Sequence, residues 1–291
     1  MENTGLITLE YVKNIIKERP TEIHKGKCGR VLIVAGSVGM AGAAVLSARG
    51  ALKSGAGLVK IAAPKELFDI LQVAVTQATC IDVSEISDSL AQGSLDIYNA
   101  VAIGPGLGVD ERKYLLIKDI LKNYNGTVVL DADGINCICK YDVGLQCLSG
   151  RKYPVVLTPH VGEADRLLSA LGEEKVTSLG REKAAEIISG KTGAIVLLKG
   201  AGTVVTADKQ GSYINTTGNP GMATGGSGDV LTGVIAAIVA SGIDPFDAAK
   251  AGAYMHGLAG DKAADVHGQW GMTAVEVEEA LPAAFKEVVG K

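Results

Sequence analysis

The stretch Thr217–Gly233 reads TGNPGMATGGSGDVLTG and holds the residues best suited to do chemistry. Gly225, Gly226 and Gly228 gather just before an apolar helical run that begins near Asp229. Backbone N–H groups unobstructed by side chains, followed by a helix N-terminus with about half a positive elementary charge, make a site for an anion. A carboxylate there could take a proton from a hydroxyl while the amides hold transferring phosphoryl oxygens. The same position also suits a plain helix N-cap, worth about 1 kcal/mol. Asparagine caps as well as aspartate but is no base, so Asp229→Asn separates the two roles.

Five more turns share this character. VLIVA runs into GSVGMAGA, VAI into GPGLG, VVL into DADGIN, a second VVL into TPHVGE, and IVLL into KGAGT. In an open parallel sheet the carboxyl ends of the strands share one edge, which is where ligands bind. Lys199 ends a strand and is followed by Gly200 and Gly202, which allows close backbone approach beside a positive charge; it also fits a lysine reaching solvent. Glu163 and the pair Asp131 and Asp133 could position Mg²⁺ through water, because Mg²⁺ keeps several waters and takes one or two carboxylates plus substrate phosphates. Turn formation with Gly134 explains the aspartates equally well, as a first-turn helix charge explains Glu163. His160 is a lone histidine, open to a structural or a binding role. Two tempting matches fail. Gly190-Lys191-Thr192 imitates the end of a P-loop, but position 185 is alanine and a strand follows. Gly36-x-x-Gly39-x-x-Gly42 lacks dinucleotide-binding spacing.

The elements that must hold these turns are short apolar runs alternating with helical patterns. Strands are predicted at 31–35, 58–62, 100–103, 127–130, 155–157, 194–198 and 203–206. Helices are predicted at 8–19, 41–54, 111–123, 163–171, 181–189, 230–240, 245–265 and 273–289. Several of the strands are almost pure Val, Ile and Leu, as expected when helices cover both sheet faces. The chain therefore reads as an α/β fold with a mostly parallel sheet, and as one domain over residues 1–291.

Composition narrows the function. There are 38 glycines in 291 residues, against 4% aromatics and 47% hydrophobic residues. The glycines follow no three-residue period, which excludes collagen, and the apolar fraction excludes disorder. A net charge of −4 and a pI near 5.7 argue against a nucleic-acid groove or an anionic membrane surface. No signal peptide is read in MENTGLITLEYVKNIIKERP. The longest apolar stretch, 230–243, is interrupted and shorter than the ~18 residues of a membrane span. Cys28, Cys80, Cys137, Cys139 and Cys147 form no CxxC pair, so reduced thiols in the cytoplasm are expected.

The GGSGDVLTG segment resembles the Gly-x-Gly-Asp anion-hole motif of the ribokinase-like superfamily. Within that group AGSVGMAGAA, GPGLG, LDADGIN, LTPHVGE, LKGAGTVV, MATGGSGDVLTG and YMHGLAGD, in this order from about Gly29 to Asp261, resemble the NAD(P)H-hydrate dehydratases. The resemblance implies a three-layer αβα ribokinase-like fold. It also implies repair of the S epimer of hydrated NADH or NADPH at the expense of ADP or ATP, with Mg²⁺. A phosphoryl group goes to the ring hydroxyl, phosphate leaves, and the ring double bond returns. By resemblance Asp229 is the base that activates the substrate hydroxyl, and Gly226, Ser227 and Gly228 form the anion hole. Lys199, Gly200, Ala201, Gly202 and Thr203, with Gly228, would hold the nucleotide phosphates. Ala43, Gly106, His160 and Asp229 would meet the hydrated dinucleotide. His256 and Asp261 fall on a late helical segment, where packing or subunit contact is expected. The epimerase domain often fused to this family has no counterpart in the roughly 28 residues before the match. A cytoplasmic homotetramer is implied.

Two other readings share the phosphate machinery. One is a ribokinase-like small-molecule kinase acting on a vitamin-precursor alcohol, which keeps the phosphoester a dehydratase expels. The other is a non-catalytic nucleotide-binding module, which needs the amides but not Asp229. No residue decides between ADP and ATP, or between the NADH and NADPH hydrates.

Overall fold

Unbroken runs of Val, Ile and Leu make stable strands only where helices cover both faces of the sheet, and that is the arrangement found. The computed structural model describes residues 4–290. The strands are β1 (Gly5–Ile7), β2 (Arg30–Val34), β3 (Leu58–Ala63), β4 (Thr79–Asp82), β5 (Ala100–Ile103), β6 (Thr127–Leu130), β7 (Val155–Leu157), β8 (Ile195–Leu198), β9 (Thr203–Ala207) and β10 (Gly211–Asn215). They form one sheet in the order β1-β10-β9-β8-β7-β6-β5-β2-β3-β4. Strand β9 runs antiparallel to both of its neighbours, and the other pairings are parallel.

Twelve helices accompany the sheet: α1 (Leu9–Ile15), α2 (Ala41–Lys53), α3 (Phe68–Ala74), α4 (Ile86–Ala91), α5 (Glu111–Asn123), α6 (Asp133–Tyr141), α7 (Val161–Ala170), α8 (Val176–Leu179), α9 (Arg181–Thr192), α10 (Ser227–Ala240), α11 (Pro245–Gly271) and α12 (Ala274–Val289). The two-residue period of the strands sorts their side chains between two cores. Val31, Ile33, Val129 and Leu197 join residues of α2, α10, α11 and α12. Leu32, Val34, Val128 and Leu198 join residues of α5, α6, α7 and α9. Three layers result, with the sheet in the middle.

The seven predicted strands are present. β1, β4 and β10 were not predicted, because they carry too few buried apolar residues to stand out. Helices α3, α4, α6 and α8 were also missed; α6 was hidden because DADGIN reads as a turn. The helix expected over 8–19 stops at Ile15, where Ile16 turns to extended backbone four residues before Pro20.

Helix α10 is buried from Val230 through Ala240 and lies directly on α2. Gly226 sits against Leu46, Gly50 against Val230 and Gly233 against Ser47 and Ala51, so the two helices run the same way and start at the same sheet edge. The approach is backbone to backbone. A Cβ on Gly233 would lie 2.0 Å from the Ser47 carbonyl oxygen, well inside contact distance. Gly233→Ala should therefore destabilise the protein by about 2–3 kcal/mol through overpacking. Gly190→Ala, exposed on α9 with nothing near its Cβ, should stabilise by about 0.5–1 kcal/mol. Denaturant unfolding midpoints of the two variants check the pair; effects of the same sign would refute this account of the α2–α10 contact.

Candidate active site

Strands β2, β5, β6, β7 and β8 are consecutive neighbours in the sheet, so the five turns that leave their carboxyl ends stand side by side. Chain order reverses between β2 and β5, the switch point where such sheets bind ligands. The two turns flanking it are tied together. Gly36 N–H donates to the Pro105 carbonyl at 2.8 Å, and Ser37 Oγ donates to the Gly106 carbonyl at 2.8 Å. Gly106 and Ala43 meet there: a Cβ on Gly106 would lie 2.8 Å from that of Ala43. The next turn is tied in as well, since Gly108 N–H donates to Asp133 Oδ2 at 2.8 Å. Between Asp131 and Asp133 the backbone of Ala132 is held at a φ of 48°, a strained conformation for alanine.

Asp131 is buried, and each oxygen of its carboxylate accepts a hydrogen bond. Lys199 Nζ donates to Oδ1 at 2.7 Å and Thr232 Oγ1 to Oδ2 at 2.7 Å. Lys199 also lies 3.9 Å from Glu163 Oε2. Burial alone would pull the Lys199 ammonium down, but Asp131 and Glu163 beside it hold it above its usual value. Burial raises the Glu163 carboxyl, partly offset by Lys199. The lysine thus fills the space between the two carboxylates expected to face Mg²⁺. Among the described residues no group of three or more His, Cys, Asp or Glu is arranged to hold a metal ion.

His160 is the N-cap of α7. Its Nδ1 accepts the N–H groups of Gly162 at 2.9 Å and Glu163 at 3.4 Å, while Glu163 Oε2 accepts the His160 N–H at 2.9 Å. This reciprocal box fixes both side chains. His160 Nε2 lies 3.3 Å from Glu163 Oε1, so both ring nitrogens face the box, although the imidazole stays more than half exposed at the edge.

The start of α10 departs from expectation in one respect. The helix begins at Ser227, with Gly226 as its N-cap at a φ of 92°, so Asp229 is a first-turn residue and not the cap. Among the described residues no acceptor meets the N–H groups of Gly225, Gly226, Gly228 or Asp229, and no donor holds the Asp229 carboxyl. A Cβ on Gly228 would lie 3.1 Å from Lys199 Nζ, which brings the glycine turn against the lysine of the β8 turn. Beyond Lys199, Gly200, Ala201 and Gly202 are exposed, again with amides lacking an acceptor. Half-buried among these groups, Asp229 has its carboxyl pushed up to about 7, first by burial and next by Asp131, with Lys199 opposing. The positive end of α10 pulls the other way by about 0.3–1 kcal/mol, too little to reverse the shift.

Helix α11 carries residues whose part the sequence left as packing or subunit contact. Asp261 accepts the Gly218 N–H at 2.9 Å and the Asn219 amide at 3.0 Å, and the Tyr254 carbonyl accepts Thr217 Oγ1 at 2.9 Å. His256 Nε2 lies 3.4 Å from Ser227 Oγ, and burial keeps the imidazole neutral, its pKa near 4. Asp261 and Tyr254 brace the loop that leads into the glycine turn, and His256 lies under the turn itself. The i, i+2 and i+7 spacing of Tyr254, His256 and Asp261 was visible in YMHGLAGD; its target was not.

The sequence matches the NAD(P)H-hydrate dehydratase family over residues 31–283. The chain belongs to that family. It is 40% identical to the bifunctional NAD(P)H-hydrate repair enzyme of Moorella thermoacetica over 98% of this chain and 54% of that one. It is 37% identical to the ADP-dependent (S)-NAD(P)H-hydrate dehydratase of Neisseria meningitidis, over 85% of this chain and 81% of that one. The ADP/ATP-dependent NAD(P)H-hydrate dehydratase of Bacillus subtilis, co-crystallised with ATP and Mg²⁺, superposes with a TM-score of 0.85 at 30% identity, covering 98% of this chain and 99% of that one. The chain spans about half the length of the bifunctional relatives it matches. Its architecture is ribokinase-like α/β.

In this member of the family, the raised carboxyl of Asp229 has a cost in stability. An aspartate in the unfolded chain titrates near 4, so between about pH 4 and 7 the folded chain binds the extra proton. Stability contributed by this group falls as pH climbs through that window and is level above it. Asp229→Asn removes the ionisable group. The variant should be more stable than the parent at pH 8 by about 1–2 kcal/mol, after allowance for screening at a half-buried site, and the gain should vanish below about pH 4. Thermal or urea unfolding of both proteins across this range measures it; a variant less stable at pH 8 would show that the carboxylate is held favourably.

Proposed function

We propose that this chain restores NADH or NADPH from the S epimer of its hydrate, using ADP, with ATP as the alternative nucleotide. One observation carries the reading: an unpartnered carboxyl titrating near 7 stands in the first turn of α10, among free amides and beside Lys199. Membership of the family and the names of the Neisseria and Bacillus relatives supply the substrates.

Asp229 takes the proton of the ring hydroxyl as its oxygen attacks the terminal phosphorus of the nucleotide. The amides of Gly226 and Gly228 hold the phosphoryl oxygens in flight, which is most of what phosphoryl transfer asks of a protein, while the Ser227 N–H, also expected there, is turned to the Thr224 carbonyl at 3.5 Å. The shortened nucleotide leaves with its bridging oxygen. Inorganic phosphate then departs from the ring carbon with the C–O bonding pair, the neighbouring ring carbon gives up a proton to solvent, and the C–H bonding pair becomes the restored double bond. Lys199 and the exposed amides of Gly200, Ala201 and Gly202 suit the nucleotide phosphates, with Thr203 closing the turn, and Ala43 and Gly106 at the switch point, with His160 at the end of β7, suit the dinucleotide. Mg²⁺ would be carried by the nucleotide and screen its phosphate charge; with Lys199 and Thr232 on the two Asp131 oxygens, Asp131 and Glu163 would hold it only indirectly, through water. Five free thiols suit the cytoplasmic location proposed here. No helix among the described residues is long and apolar enough to cross a membrane. A homotetramer completes the reading, by resemblance.

Purified protein given hydrated NADH, ADP or ATP, and Mg²⁺ should restore the absorbance of NADH. A rate that falls as pH drops through about 7 would follow from Asp229 acting as the base, which works only when ionised. Asp229→Asn should lose about a hundredfold or more in rate. No recovery with either nucleotide, together with a stable phosphoester on a small alcohol, would instead establish a kinase. Nucleotide binding without any turnover would establish the non-catalytic module.

A further inference from the structure

The turn from Lys199 to Thr203 keeps its outward amides free because its carbonyls are engaged on the inner side. Thr203 Oγ1 donates to the Gly200 carbonyl at 2.9 Å. The Ala201 carbonyl and that of Leu198, just before the turn, are taken by a residue from elsewhere in the chain. Arg181, the first residue of α9, donates from Nη2 to the Leu198 carbonyl at 2.9 Å and from Nη1 to the Ala201 carbonyl. Its guanidinium lies directly under the turn: a Cβ on Gly200 would come within 2.9 Å of Nη2 and 3.1 Å of Nη1. In a trans peptide the carbonyl of one residue and the N–H of the next point in opposite directions. Holding the Ala201 carbonyl inward therefore turns the Gly202 N–H outward, as holding that of Gly200 turns out the Ala201 N–H. These amides have no protein acceptor among the described residues. The Arg181 Nε is buried and also lacks a partner, so the guanidinium is kept in the fold at a cost that two backbone hydrogen bonds must offset.

We infer that Arg181 is a positioning residue for the nucleotide: it clamps the Gly200–Gly202 turn so that its amides face the phosphates, and places a positive charge beneath them. The planar fork of arginine suits this role and lysine does not, because a single ammonium on a flexible stem cannot span two carbonyls in fixed geometry. The inference rests on the nucleotide site proposed above and is confined to binding. Arg181 touches neither Asp229 nor the glycine turn of α10.

The test compares R181K and R181M with the parent in the full chain, measuring ADP binding by calorimetry and steady-state kinetics with hydrated NADH. R181M should weaken ADP binding and raise KM for ADP by roughly ten- to a hundredfold. R181K, which keeps the charge and one hydrogen bond, should lie between it and the parent. At saturating ADP, kcat and KM for hydrated NADH should stay within about twofold of the parent. A merely structural role would lower thermal stability without this split between KM for ADP and kcat. Unchanged ADP affinity in both variants would overturn the inference, as would a fall in kcat with KM for ADP intact. Should R181M not fold, R181K alone decides, since parent-like ADP binding by it contradicts the fork. Calorimetry needs no turnover, so ADP binding that depends on Arg181 in a chain that restores no NADH would sustain this inference and refute the proposed activity.

Discussion

The ion pair between Lys199 and Asp131 joins the ends of β8 and β6, and Thr232 of α10 closes on the second oxygen of the same carboxylate. Glu163 of α7 borders the lysine from a further element. Four elements from both sides of the sheet are thereby locked at one point of its carboxyl edge. Removing charges from water is expensive, and a buried pair is retained only where its geometry is good and its remaining lone pairs are met. Here each Asp131 oxygen has a donor, and breaking the set from one side would leave a charge uncompensated at the centre of the site. The same cluster sets the properties of Asp229, because Asp131 raises that carboxyl and Lys199 lowers it. Positioning and acidity thus come from one group of charges.

Around this pair the site is built mainly of backbone. Gly104 shows why: a Cβ there would stand 1.9 Å from the Asp131 carbonyl oxygen, so the β5 and β6 turns approach more closely than side chains allow. The glycine turn of α10 and the turn after β8 both present amides with no internal acceptor. Anion recognition through N–H groups needs that exposure, and it needs the carbonyls to be engaged elsewhere. Arg181 and Thr203 meet the second need at one turn. At the other, the helix takes up the carbonyls, while Asp261 and the Tyr254 carbonyl hold the approach loop and His256 packs under Ser227.

Much of the architecture was legible in the sequence. Strands buried on both faces have only one composition available to them, so β2, β6, β7 and β8 declared themselves, and their turns could be assigned to one edge. The outer strands β1, β4 and β10 were not legible, since they bury less and carry mixed residues. Helix α6 was masked by Asp131, Asp133 and Gly134, which favour turns locally but here lead straight into a helix. Asp229 could be singled out as the candidate base from its motif, yet its place in the first turn could not. Gly226 caps the helix through a left-handed backbone that leaves no trace in residue type beyond being glycine.

By itself the sequence determined the α/β class and the family, and it singled out the candidate residues for the chemistry, because those depend on local periodicity and on motifs that lie within a few residues. Only the tertiary structure decided how these residues act on one another. Lys199 meets Asp131 across 68 residues, and Thr232 meets it across 101. His160 spends one ring nitrogen on a helix cap, and Arg181 reaches under a turn some twenty residues away. Charge, burial and hydrogen bonding at such separations are set by which strands become neighbours and which helices close over them. No short-range pattern encodes that.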